Sequence, residues 1–148
     1  MFIDVNDHIK VRVYYLKSGH TYESYTSSEF DKLKLRDSEK KKYKSLNLVM
    51  RQLTWGLQND LQENALRDLP NGMSKFHYKT FKEGKLEKTI VSWSTQDEEG
   101  NDTPIKDKDG KEIKVSVDVI RGLAPEIAES IVRAYDNAVL LGDESEKK

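Results

Sequence analysis

The sequence predicts an α+β fold, and three observations predict it. Ile9, Val11, Val13 and Tyr15 alternate with polar residues, the period-two pattern of a half-buried strand. Ile127, Ile131, Ala134, Tyr135 and Ala138 recur at helical spacing and make one apolar face. No internal repeat and no linker-like stretch separates these blocks, so the 148 residues read as one domain over 1–142, with 143–148 a polar flexible tail. The expected architecture is an N-terminal β-hairpin and a short strand packed with two or three helices, closed by an amphipathic C-terminal helix.

The hairpin comes first, over residues 8–26. Ser18-Gly19 suits a two-residue turn. That register sets Tyr15 opposite Tyr22, an aromatic cross-strand pair, and Tyr14 opposite Glu23. Ser28 then offers a cap for a short helical turn through Phe30 and Leu33. Residues 36–45 are mostly charged and read as loop or weak helix.

Leu46, Leu48 and Met50 alternate as in a strand, whereas Leu46, Val49, Met50, Leu53 and Leu57 also fit a helical stripe. A strand at 45–52 is favoured, followed by a helix over 55–68, because Thr54 is a good N-cap and Gly56 falls in the first turn. Leu57, Leu61 and Ala65 form that helix's buried face. Leu69-Pro70-Asn71-Gly72 breaks it. Residues 74–91 fit two patterns: an irregular helix, or strands Phe76–Phe81 and Leu86–Trp93 about a turn at Glu83-Gly84-Lys85.

Further on, a three-residue loop with Gly110 in the left-handed position aligns Ile105 with Ile113, Lys106 with Glu112 and Asp107 with Lys111, a small exposed hairpin. Ser116 caps a short helix over 117–121, which Gly122 stops. The last helix has Pro125 at its first position, Glu126 and Glu129 toward its positive end, and Gly142 as its stop.

Composition narrows the function classes. Charged residues make up 34% and hydrophobic residues 36%, and the thirteen aromatics argue against a disordered chain. Cys is absent, which removes disulfides, thiolate metal sites and Cys nucleophiles. No apolar run approaches the roughly 18 residues that span a bilayer, and Met1-Phe2-Ile3-Asp4 opens no secretory signal, so a cytoplasmic protein without a membrane partner is expected. The basic run Lys40-Lys41-Lys42-Tyr43-Lys44 sits beside Asp37 and Glu39 and reads as a solvated surface rather than a nucleic-acid face. His8, His20 and His77 lack the i, i+4 spacing of a helical metal site. Asp107-Lys108-Asp109-Gly110 lacks the ligand register of a calcium loop. No phosphate loop, nucleophile elbow or zinc-protease helix appears, so neither an enzyme, a cofactor nor a metal site is expected.

What remains is surface recognition. Trp55 and Trp93 are large apolar anchors that serve either a core or an interface. The face carrying Ile127, Ile131 and Tyr135 divides the same way: it closes the domain's own core or packs on a partner or a second copy.

Met50-Arg51-Gln52-Leu53-Thr54-Trp55, with Gln58 and a helix after it, resembles the strand, Leu-Thr, aromatic, helix junction of small tail-assembly chaperones of long-tailed bacteriophages. Phe76, Tyr78-Lys79, Phe81-Lys82-Glu83 and Lys85-Leu86 leading to Trp93 resemble a second block of such chains, and Leu123-Ala124-Pro125-Glu126-Ile127-Ala128 is similar to their C-terminal helix start. The resemblance spans residues 44–141. It favours a helix within 74–91. It implies a non-enzymatic morphogenesis factor in the host cytoplasm that binds a helical tape-measure-type protein, with Trp55, Trp93, Ile127, Ile131 and Tyr135 as candidate partner-binding residues. A structural tail, neck or baseplate subunit and a small inhibitor of a host factor are the alternatives.

Overall fold

The computed structural model describes residues 1–4 and 6–141. The expected stop at Gly142 and the polar tail over 143–148 lie outside the described residues. The fold is α+β: among the described residues, seven strands form two antiparallel sheets beside six helices.

Strands β1 (His8–Ser18) and β2 (Thr21–Thr26) form the N-terminal hairpin. Its turn is Gly19-His20, one residue later than expected, because Ser18 pairs with Thr21. Gly19 has φ +64, and a two-residue turn with glycine at its first central position twists with the strands. The shift sets Tyr15 opposite Ser24 and Tyr14 opposite Tyr25, not Tyr22 and Glu23. Tyr15 and Tyr22 still meet diagonally, with ring centroids 6.1 Å apart.

Helix α1 (Ser27–Lys32) is capped by Thr26, not Ser28. The Thr26 hydroxyl accepts from the Glu29 amide at 3.2 Å, and the Glu29 carboxylate accepts from the Thr26 amide at 3.0 Å. That reciprocal pair is a capping box, and it starts the helix two residues earlier. Phe30 on α1 stacks on Tyr14 at 4.1 Å. The charged stretch that follows holds one short helix, α2 (Asp37–Lys40).

Strand β3 (Lys44–Arg51) forms where alternation placed it. It pairs with β1 so that Ile9 faces Met50, Val11 faces Leu48 and Val13 faces Leu46. Helix α3 (Trp55–Ala65) starts at Thr54, whose hydroxyl accepts from the Leu57 amide at 3.2 Å. It ends at Ala65 rather than 68. Residues 66–68 instead form β4 (Leu66–Asp68), which pairs with β5 (Ser74–Phe76) as a separate ribbon.

Residues 74–91 therefore hold a short strand and then a helix, α4 (Tyr78–Thr89). Gly84 is helical, not a turn. A Cβ there would lie 2.8 Å from Leu61 Cδ2, so the Leu61 side chain of α3 packs directly over the bare backbone of α4. β6 (Ile90–Gln96) follows at once and pairs with β3, with a bulge between Val49 and Met50. β7 (Asp102–Thr103) completes a five-stranded sheet in the order β2-β1-β3-β6-β7. β6 was legible only in the discarded hairpin pattern, and β7 not at all.

Residues 105–113 pair as expected: Lys106 bridges Glu112, and the Ile113 amide donates to the Ile105 carbonyl at 2.7 Å. Loops 69–73, 97–101 and 107–111 share one construction. The first residue's amide donates to the fifth residue's carbonyl at 2.7–2.9 Å, and the fourth residue is a glycine with φ +81 to +84. A type I turn followed by a left-handed residue has this form, and glycine takes that backbone without strain. Helix α5 (Val117–Arg121) is capped by Ser116 and ends at Gly122.

Helix α6 (Pro125–Leu141) lies across β1 and β2. Ile127, Ile131, Ala134, Tyr135 and Ala138 are all buried, against Ile9, Val11, Val13, Leu46, Leu48, Met50, Leu86, Ile90 and Ile120. Burying a Leu- or Ile-sized side chain contributes about 1.5–3 kcal/mol, so this face holds the molecule together. Ion pairs stitch its rim: Lys82 to Glu129 at 2.8 Å, Lys85 to Asp136 at 2.7 Å and Arg133 to Glu29 at 3.1 Å.

Candidate docking surface

The structure sorts the five expected partner-binding residues into two groups. Ile127, Ile131 and Tyr135 belong to the core and do not form a docking stripe. Their spacing is the spacing of a buried face, and the sheet supplies its partner. Tyr135 has a further duty. Its hydroxyl donates to the Arg51 carbonyl at 3.0 Å and accepts from the Leu53 amide at 3.2 Å. One side chain of α6 thus clamps the β3–α3 junction, the Met50–Trp55 segment.

Trp93 is half-buried on β6 and packs against the core. Its indole N–H donates to the Ile113 carbonyl at 2.8 Å and ties down the 105–113 hairpin. It is a structural anchor. Trp55 differs: it opens α3 and is 83% exposed.

A group of exposed apolar residues lies beyond the other end of α3. Every residue from Leu66 to Lys79 is exposed. Among them are Leu66, Leu69, Met73, Phe76 (41%) and Tyr78 (61%). The ribbon sets them in two pairs on opposite faces: Leu66 opposite Phe76 on one, and on the other Leu69 beside Met73, whose carbonyl accepts from the Leu69 amide. The His77 amide donates to the Ala65 carbonyl at 2.7 Å and fixes the ribbon's base. Phe76, Tyr78 and Phe81 form an aromatic triangle with centroids 5.5–6.4 Å apart. Lys82 Nζ sits 4.7 Å from the centre of the Tyr78 ring. An aromatic group left partly open on so charged a surface is a candidate interaction site.

The sequence did not single out this grouping, because α3 was expected to run over Leu66 and residues 74–91 fitted either an irregular helix or two strands. The available signal was Lys75-Phe76-His77-Tyr78-Lys79, aromatics interleaved with bases directly after a Pro-Asn-Gly turn.

Two hollows open elsewhere. An apolar one of about 490 Å³ lies between the sheet and the 105–113 hairpin, walled by Tyr15, Tyr22, Trp93, Ile105 and Leu123. Burial there pushes the Tyr15 phenol upward, with Tyr22 adding to the shift. The second, about 580 Å³, lies on the sheet's open face over Lys10, Arg12, Asn47, Ser92, Ser94 and Asp102. There the Arg12 side chain donates to Asn47 Oδ1 at 2.6 Å, and Asn47 donates to Asp102 Oδ1 at 3.4 Å.

Among the described residues, no group of three His, Cys, Asp or Glu side chains gathers where a metal could sit. The Asp107 carboxylate accepts from the Asp109 and Lys111 amides, and Asp97 does the same for Glu99 and Asn101. These acids shape loops. No described helix is long and apolar enough to cross a membrane. No protein-family model, no curated protein and no solved structure matches the chain.

Proposed function

We propose that this protein is a non-enzymatic binding factor, a phage tail or baseplate assembly chaperone that holds a helical tape-measure-type partner. One observation carries the reading: the exposed apolar ribbon and helix start over Leu66–Lys79. A folded domain whose core is complete without these residues gains nothing by exposing them to water. A partner helix gains an apolar seat. The short motifs that resemble those of tail-assembly chaperones support the same reading, and the start of one of them, Phe76 and Tyr78-Lys79, falls within this surface. A ribbon of this size buries a moderate area, which suits a contact that must be released when assembly proceeds.

The test is capture of the tagged protein from producing cells with quantitative mass spectrometry, run beside a Phe76→Ser/Tyr78→Ser variant. The proposal expects a long, helix-rich tail protein with the wild type and its loss with the variant, and no copies of this chain in finished particles. Stoichiometric retention in particles would make it a structural tail component instead. Capture of a host enzyme would move it to the inhibitor class.

A further inference from the structure

The ribbon has a second face, and that face carries charge. The β4–β5 register sets Arg67 directly opposite Lys75. Both are exposed. Like charges directly opposite weaken a two-stranded pairing, and each strand here is only three residues long. Arg67 relieves part of the repulsion by turning back on the chain, where Nη1 donates to the Asn64 carbonyl at 2.6 Å and the Leu66 carbonyl at 3.0 Å. Lys79 adds a third cation in the first turn of α4, which holds no acidic side chain. Asp68 is the one acid between Leu66 and Lys79, and it accepts from the Ser74 hydroxyl at 3.3 Å. Among the described residues the ion pairs of this protein use Lys82, Lys85, Arg121 and Arg133, not Arg67, Lys75 or Lys79. The Leu69 amide bonds to the Met73 carbonyl at 2.7 Å, one pair beyond Asp68 and Ser74, so continuing the alternation of the register puts Leu69 and Met73 on the side of Arg67 and Lys75. One face of the ribbon thus offers two apolar side chains next to a pair of facing cations.

We infer that the partner helix is acidic beside its apolar stripe: its apolar residues seat on Leu69 and Met73, and its carboxylates lie between Arg67 and Lys75. This rests on the helical-partner reading above and adds the partner's charge. Carboxylates placed there remove the cross-strand repulsion that the free ribbon carries, so the partner stabilises the surface that receives it. The contact is also sensitive to salt, since exposed charges are screened within about 3 Å at 1 M ionic strength.

The probes are two synthetic amphipathic helical peptides with one apolar stripe, one flanked by Glu and one by Lys, measured by fluorescence anisotropy on the full chain. The Glu-flanked peptide is expected to bind at least tenfold more tightly, with the gap closing near 1 M salt. Lys75→Glu should abolish the preference. That variant also turns the Arg67 pair into an attractive one, so its thermal stability stays level or rises while Glu-peptide binding falls. A simple folding defect gives the opposite pattern. Equal binding of both peptides would overturn the charge inference and leave the apolar docking surface standing. Binding of neither would overturn this inference, whereas capture from cells with the Phe76→Ser/Tyr78→Ser variant tests the function and the opposite face separately. Equal competition by a short DNA duplex would reduce the face to a general polyanion site and overturn the inference. So would self-association abolished by Lys75→Glu, which would name a second copy as the occupant.

Discussion

The inner face of α6 and the ribbon over Leu66–Lys79 are both rich in large apolar side chains, and they meet opposite fates. On α6, Ile131 is 0% exposed and its neighbours along the face are nearly so; on the ribbon, Phe76 keeps 41% of its surface open. Length and regularity make the difference. A 17-residue helix repeats its apolar face over several turns and covers a sheet. A ribbon of two three-residue strands is too small to own a core. Apolar residues on a long periodic element hold the fold, and the same residues on a short element at the margin are free to meet something else.

The comparison breaks most visibly at Ile131. Ile131→Asp places an unpaired charge at a fully buried site and should cost at least about 4 kcal/mol. A chain that no longer melts cooperatively is expected. A variant that folds normally would mean that α6 is not the core.

Tyr135→Phe is milder and sharper. It keeps the ring and deletes the hydroxyl that serves Arg51 and Leu53, at a cost of about 1–3 kcal/mol. The loss should appear as faster hydrogen exchange at the β3–α3 junction, with the ribbon unchanged.

Smaller still is the pH response of Glu29. Burial raises its carboxyl, but the hydrogen bonds from Arg133 and Thr26 and the Arg133 charge outweigh it, so the group lies below its ordinary value of 4.5. A lowered folded value means stability that is present above 4.5 and lost as pH falls through the folded value. Between about pH 6 and about pH 3 the wild type should therefore lose slightly more thermal stability than Glu29→Gln. Equal losses would show that the α1–α6 link contributes nothing.

The smallest effect belongs to the other region. Phe76→Ser there, and Trp55→Ser at the opposite end of α3, should each change stability by under about 1 kcal/mol, because exposed positions contribute little. A melting temperature that falls as far as with Tyr135→Phe would place these rings in a core.

The same contrast explains what was legible in the sequence. β1, β3 and α6 bury continuous faces, so alternation and helical spacing predicted them. The Thr54 and Ser116 caps were legible because a hydroxyl directly preceded each helix. The hairpin register slipped by one residue because glycine is tolerated at either turn position, and only pairing chooses between them. The end of α3 was missed because Leu66-Arg67-Asp68 has no helix breaker of its own; its pairing with Ser74–Phe76 overrides local preference. Among the expected partner-binding residues, periodicity identified Ile127, Ile131 and Tyr135, but it cannot tell an inner face from an outer one. Trp55 was named for its size alone, which left core and surface open, and it lies exposed at the start of α3. The charged face of the ribbon was invisible because Arg67 and Lys75 lie eight positions apart until the register joins them.

Hydrogen–deuterium exchange on the complex captured from producing cells tests the central claim most directly. The account predicts new protection over residues 66–79, with α6 and β1 as slow in the free chain as in the complex. Protection gained along α6 or on the sheet's open face, with 66–79 unchanged, would contradict it.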